Sequence, residues 1–565
     1  MFSRRNHDSA EICLPQADPR PAERQAALAR TRGRYAYYAE DDPDNLLAPV
    51  AGAGRFPLSE QYDPSWGLPY LPLLARAKAR EWWLNLEGLI SRRGKTATYA
   101  TFFNPWFRPG PAADGYATDE RLVEDRLQGP NPLEIRRVAD PQDVARLLGA
   151  LDRPLAPSTA VLASEALARG DLYQVDYSLL REAQWAGSAR DSRWRRKYLP
   201  SPHALFWQAP ADAPRRTLRP LAIRIDGADP ESPVFRPDDG AGWELAKLYL
   251  RVADINAHIM GAHVYATHCV LEPFALSTPR HLSARHPIHL LLAPHLRFTL
   301  AVNRANMMLL RNPRQVYAII YSGDLPITRR IIVAAARRTT FPALALPTDL
   351  ARRGMTDAPV DYAYRDDALL HWAAIARFVG RYIDLFYTSD AAVQADDELA
   401  RWVAELGAPD GGALAGLLAT GAERSRDALA ALLTQVLFTA GPGHAAVHFP
   451  QPDFHAAPAA YPAGAYAPPP RSRAEADAAR FEATLPPLRP AAAQFRNAQL
   501  AGFQYDTFGR YDAYPLGRLA VAQAAIQGLA SDLQAVEREI CRRNRGRATP
   551  YPYLLPSRVP NSVNL

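Results

Sequence analysis

The sequence predicts a mainly α protein: one large helical body carrying a small β element. Three observations lead there. Apolar residues recur at intervals of three and four over several long segments, the period of helices that bury one face. Strand-like runs are short and few. The 565 residues, 48% hydrophobic and 22% charged, suffice for a large core and show no internal repeat.

Taken in order, residues 1–60 are rich in Pro, Asp and Arg, contain one helical run (21–38), and read as an extension packed on a body formed by residues 61–565. Residues 68–92 follow with an amphipathic helix after opening prolines. Helical spacing continues in 123–128, 143–152, 242–271, 369–387, 397–406 and 519–543, whereas 171–180, 203–208 and 217–226 are the strand candidates. Residues 449–473 hold too many prolines for helix or central strand, so a long surface loop is expected there.

A formal charge of +7, from 66 basic and 59 acidic residues, is too dilute for a nucleic-acid protein. The basic run Arg193–Lys197 suits transient contact with an anionic membrane surface, although solvated charge is the ordinary role of such runs. Cys13, Cys269 and Cys541 make no disulfide framework. The N-terminus lacks the apolar core of a signal peptide, and nowhere do about eighteen apolar residues run together. A soluble, cytoplasmic monomer is expected.

The longest helical run carries His258, His263 and His268, each five residues after the last. On a regular helix of about 3.6 residues per turn, neighbours five apart diverge by roughly 140° and cannot share a ligand. A π-bulge, with its wider i→i+5 turn, would bring them to one side, so the spacing predicts an irregular helix. His444 and His448 are four apart, about 40° on a helix, and can face one point. Such pairs also arise by chance. Imidazoles from two helices favour iron, manganese or zinc over magnesium or calcium.

At residues 263–303 the sequence resembles the lipoxygenase signature: a His-x4-His pair, the turn Glu272-Pro273-Phe274, the step His286-Pro287-Ile288 and an arched helix ending at Asn303. The resemblance extends to Gly443–Gln451, 503–511 and the terminal 553–565, and more weakly back to about residue 115; no N-terminal β-barrel is seen, as in short bacterial forms. It implies a lipoxygenase-like helical catalytic domain with a π-bulged metal-bearing helix. It further implies one Fe(II)/Fe(III) ion per chain, iron in preference to manganese, held by His263, His268, His444, His448 and the terminal carboxylate of Leu565. His448 and Leu565 depart from the usual Asn and Ile. His258 is not a ligand on this reading.

The implied partners are a polyunsaturated fatty acid and O2. The resemblance implies a mechanism in which ferric hydroxide would take a hydrogen atom from the central CH2 of a cis,cis-1,4-pentadiene, oxygen would capture the carbon radical on the opposite face, and the peroxyl radical would be reduced to a hydroperoxide as the ferric state returns. Gln451 and Asn561 are candidates to orient ligands through outer hydrogen bonds. Ile259 stands where relatives often carry Gln, breaking one familiar link. Leu310 matches the residue that pinches the pentadiene, Asn306 stands where Ala or Gly is usual, and Arg304 is a candidate partner for a substrate carboxylate. Three alternatives stay open: a hydroperoxide isomerase on the same fold, a lipid-binding protein without turnover, and a thiol protease using Cys269. The last is disfavoured because adjacency to His268 does not supply catalytic geometry.

Overall fold

A computed structural model describes residues 12–565 apart from 40, 91–92, 114, most of 141–164, 185–188, 191–195, 209–216, 227–228 and 230. The extension opens with helix α1 (Pro21–Arg32), which begins on a proline whose fixed φ suits a first helical turn. A two-stranded antiparallel ribbon, β1 (Ala36–Tyr37) and β2 (Ala53–Arg55), follows. Buried ion pairs lock this segment down: Arg24 donates to both oxygens of Glu398 at 2.7 and 2.8 Å and to Asp18 at 3.1 Å. Pairing and hydrogen bonding on all sides offset the cost of burying those charges.

Helix α2 (Pro64–Ile90) tolerates Pro69 and Pro72 in its first third. A five-stranded antiparallel meander comes next, β3 (Arg136–Arg137), β4 (Leu172–Asp176), β5 (His203–Gln208), β6 (Leu218–Arg224) and β7 (Val234–Phe235), lying in chain order. The candidate strand 171–180 is cut short because the Asp176 carboxylate accepts from the Ser178 N–H, and residues 178–184 turn helical. Pro220 sits inside β6 opposite Phe206, where the register slips by a bulge, the position at which a strand tolerates a missing donor.

The centre of the molecule is one continuous helical rod. Helix α3 (Ala241–Ala257), buried except at Ala241 and Glu244, runs into a π-helical segment (His258–Cys269) and on into α4 (Val270–His281). The arched helix resolves into two, α5 (Pro287–Leu296) and α6 (Thr299–Arg311), broken at Phe298, whose φ of 63° is left-handed. A bulky residue there is strained, and its ring is held by Tyr62, Tyr505 and Arg297. Helices α7 (Ala363–Asp384) and α8 (Arg426–Phe438) pack together; α8 leads through a second π segment (Thr439–Gly443) into α9 (His444–His448). Helix α10 (Leu488–Leu500) lies along α2, and α11 (Gln523–Asn544) along α7.

Two expectations need correction. Residues 449–473 form no surface loop: Phe454, Tyr461 and Ala463 are fully buried. Side-chain amides replace the missing secondary-structure partners, Gln494 bonding His455 O, Tyr461 O and Ala463 N while Asn256 donates to Ala463 O. In the basic run, Lys197 is wholly buried, its ammonium donating to the Ala318 and Tyr321 carbonyls, so it presents no charge to a membrane. Residues 191–195, like most of the helix expected over 143–152, lie outside the described residues. No described helix is long and apolar enough to cross a membrane.

Candidate metal centre

The five-residue interval is accommodated as its spacing demands. Both His263 and His268 lie inside the π segment, buried, with ring centroids 4.8 Å apart. His444 and His448 begin and end α9, one ordinary helical turn apart, and stack at 4.6 Å. The two pairs meet around His263 Nε2, which lies 3.1 Å from His444 Nε2, 3.1 Å from His448 Nδ1 and 3.2 Å from His268 Nε2.

Burial holds all four rings neutral. It pulls His268 down to about 4 and His448 to about 3, and depresses His263 and His444 well below the usual range, with neighbouring imidazoles adding to the effect on the last three. The ring of His268 also has a fixed tautomer. Asn303 Oδ1 can only accept, so His268 Nδ1 donates to it at 3.1 Å and Nε2 turns a bare lone pair toward the cluster. A single N–H on His263 could satisfy only one of the three nitrogens around it. Converging lone pairs roughly 3 Å apart are what a cation with metal–nitrogen bonds of about 2.1 Å requires of adjacent ligands. The residues present therefore fit a transition metal.

Asn303 entered the sequence analysis only as the end of the arched helix and not as a partner of His268, and its reach is wide. Its Nδ2 donates to the His268 carbonyl at 2.9 Å and to Glu272 Oε2 at 2.8 Å, while Glu272 Oε1 accepts from Ala53 N at 2.7 Å. A continuous chain thus joins strand β2 of the extension to His268. Glu272 was legible as a buried-face residue one turn beyond His268 on the same rod. Asn303 comes from another helix, and no spacing announces it.

The other candidates fall as follows. His258 donates Nε2–H to the Val447 carbonyl at 2.7 Å, tying the rod to α9 from outside the cluster. Gln451 is buried at the start of a short helix, its carbonyl accepting from His455 N. Asn561 bonds Asp506, Gly509 N and the Arg510 carbonyl, and its own carbonyl takes a hydrogen bond from His295; it anchors the C-terminal segment and makes no bond to the four imidazoles. Leu565 packs its side chain among Trp66, Phe298, Ala301 and Phe503, next to the helix that carries Asn303. The preceding carbonyl, of Asn564, accepts from Trp66 Nε1 and the Tyr62 hydroxyl.

Beside His268 lies an apolar cavity of about 30 Å³, walled by Val264, Cys269, Asn306 and Leu310 on one side and by the extension, including Leu47 and Val50, on the other. Arg304 borders it but donates to the Ala53 and Gly54 carbonyls and stacks on Phe56 at 4.7 Å. It fastens the extension over the cavity. Burial pushes the Cys269 thiol up, away from the thiolate a nucleophile needs, which removes the protease alternative.

The sequence profile of the lipoxygenase family matches residues 200–483. The chain belongs to the lipoxygenase family. It is 34% identical over 479 residues to a linoleate 9/13-lipoxygenase of Pseudomonas aeruginosa, covering 80% of this chain and 67% of that one. It is also 30% identical over 497 residues to the human hydroperoxide isomerase ALOXE3, covering 85% and 68% respectively. In structure it superimposes with a TM-score of 0.85 on a lipoxygenase crystallised anaerobically with arachidonate, at 25% identity, over 98% of this chain and 83% of that one. This lipoxygenase is an oxidoreductase of the dioxygenase type, and its mainly helical fold is that of the lipoxygenase structures it superimposes on.

Proposed function

We propose that this lipoxygenase inserts O2 into polyunsaturated fatty acids containing a cis,cis-1,4-pentadiene, using one iron ion held by His263, His268, His444, His448 and the carboxylate of Leu565. The observation that carries the reading is the convergence of four buried, neutral imidazoles beside an apolar cavity. Iron bound by that donor set would supply one-electron redox chemistry. The protein's own residues do the rest. Asn303 keeps the His268 lone pair aimed inward. Leu310 presses the acyl chain toward His268, and Asn306 sets how closely it approaches. Apolar walls exclude water from a radical.

The cavity also states a requirement. Ligand pockets run to roughly 300 Å³ or more, and about 30 Å³ holds no fatty acid. Substrate binding therefore displaces part of the wall, and we assign that movement to residues 45–52 of the extension, which line it, residues 61–565 remaining as the catalytic body. The enzyme works as a monomer, needing no residue from another subunit.

Purified enzyme is expected to hold close to one iron per chain by elemental analysis and to convert linoleate to a conjugated diene with matching O2 uptake. Metal-free protein that binds lipid without turnover would overturn the proposal. Adding residues after Leu565 is expected to remove iron from a folded chain; full iron in that variant would exclude the carboxylate. A second reading, hydroperoxide isomerase, draws on the relationship to ALOXE3. Its signature is loss of lipid hydroperoxide without O2 uptake.

A further inference from the structure

Helix α2 has two apolar faces and only one is covered. Ala77 and Leu84 are buried toward α10, whereas Leu68, Leu71, Trp82 and Leu86 are 67, 54, 65 and 41% exposed. At about 100° per residue, Leu68, Leu71, Ala75, Ala79, Trp82 and Leu86 fall within roughly 80° of one another and stand opposite the buried face. Arg76 and Lys78, both exposed, flank that stripe, about 100° to one side of its centre and about 60° to the other. Of the acids nearby, Glu81 pairs with Arg496 at 2.5 Å, while Glu87 accepts from Trp83 Nε1 and keeps its charge. The adjoining loop, whose Thr101 and Phe102 carbonyls accept from Arg80, adds Trp106, 67% exposed.

We propose that this face of α2 is a membrane-docking surface that inserts its leucines and tryptophan into the interfacial region of an anionic lipid bilayer. Indole and leucine on one stripe with cations on both shoulders is the composition that such an interface selects. A second copy of the chain suits it less. Along the helix axis the midpoint of the stripe lies level with residue 77, so a two-fold contact would bring Arg76 and Lys78 of both copies together. With aromatic side chains of about 150–250 Å² each, the stripe amounts to a few hundred Å², short of the ~800 Å² one partner gives to a stable interface. The inference rests on the lipid-substrate reading only in this: a water-insoluble substrate gives docking a purpose. The opposite face of the same helix supplies Trp66, which holds the Asn564 carbonyl, so docking brings the bilayer to the element that secures the C-terminal end of the site.

The test is co-sedimentation of the whole chain, without substrate, with vesicles of phosphatidylcholine alone and with 30% phosphatidylglycerol. The wild type is expected to partition onto the anionic vesicles and to be partly released by 0.5 M NaCl. L71S/W82S/L86S is expected to lose at least tenfold in partition on both compositions. R76E/K78E is expected to lose roughly fivefold per cation on anionic vesicles only. Turnover of dispersed linoleate stays unchanged in both variants. Absence of wild-type partition, or equal partition by L71S/W82S/L86S, overturns the proposal. So does a dimeric wild type that becomes monomeric in that variant, which would assign the stripe to a second copy. Failure of linoleate turnover with vesicle binding intact counts against the dioxygenase reading instead.

Discussion

The two histidine pairs solve the same problem differently. His263 and His268, five apart, need a π-helical turn to converge, and His268 is braced by Asn303, Glu272 and the extension. His444 and His448, four apart, converge on a plain helical turn, with the π segment placed just before them. Among the described residues no side chain bonds His444 Nδ1. His268 is therefore oriented by side chains from other elements, whereas His444 takes its direction from its own helix. Orientation from outside can be tuned or lost without touching a ligand; orientation from within cannot.

Removing the shared nitrogen is the largest test. His263→Ala takes away the atom around which the other three gather, and is expected to lower metal content more than a hundredfold while circular dichroism stays native. Retained iron would show that the cluster is not the metal site. The comparison is sharpened by Asn303→Ala, which leaves all four rings in place but frees the His268 tautomer. Loss of an outer partner of this kind costs roughly 10–100-fold in metal affinity, to be read by competition with a chelator. No loss would mean that both pairs orient themselves. Glu272→Gln is expected to cost less, severalfold, because an amide oxygen still accepts from Ala53 N or Asn303 while a charge-assisted bond is weakened.

The fold was legible where period alone decides it. The rod through residues 242–271, the helix at 369–387 and the strands around 203–208 and 218–224 follow from apolar spacing. The five-residue histidine interval announced its own irregular helix. What stayed hidden was set by tertiary partners: Asn303 meets His268 from a separate helix, Arg304 is spent on the Ala53 and Gly54 carbonyls, and the proline-rich 449–473 is buried because Gln494 and Asn256 satisfy its backbone. Local pattern carries no information about which distant amide will close such a gap. The unpartnered stripe on α2 was also concealed, since an amphipathic period does not say that the helix has a second apolar face.

The smallest effect concerns how the braced side is fastened. Strand β2 can restrain Glu272 only while the extension stays seated on α4, and Glu405 is its clamp. The carboxylate of Glu405 accepts from Arg280 at 2.6 Å and from Ser277 at 2.7 Å; Arg280 also donates to the Tyr35 carbonyl, and Ser277 bonds the Tyr37 hydroxyl. Burial alone would raise Glu405, but His281 at 3.0 Å, Arg280 and Ser277 outweigh it and hold the carboxyl down at about 2. A carboxyl depressed on folding contributes stability above its ordinary value near 4.5 and loses it as pH falls from there toward about 2. Glu405→Gln is expected to cost about 1–3 kcal/mol at neutral pH and to flatten the decline in melting temperature below pH 4.5. If that decline is as steep in the variant as in the wild type, the acid sensitivity belongs to other carboxylates and the extension is held without this clamp.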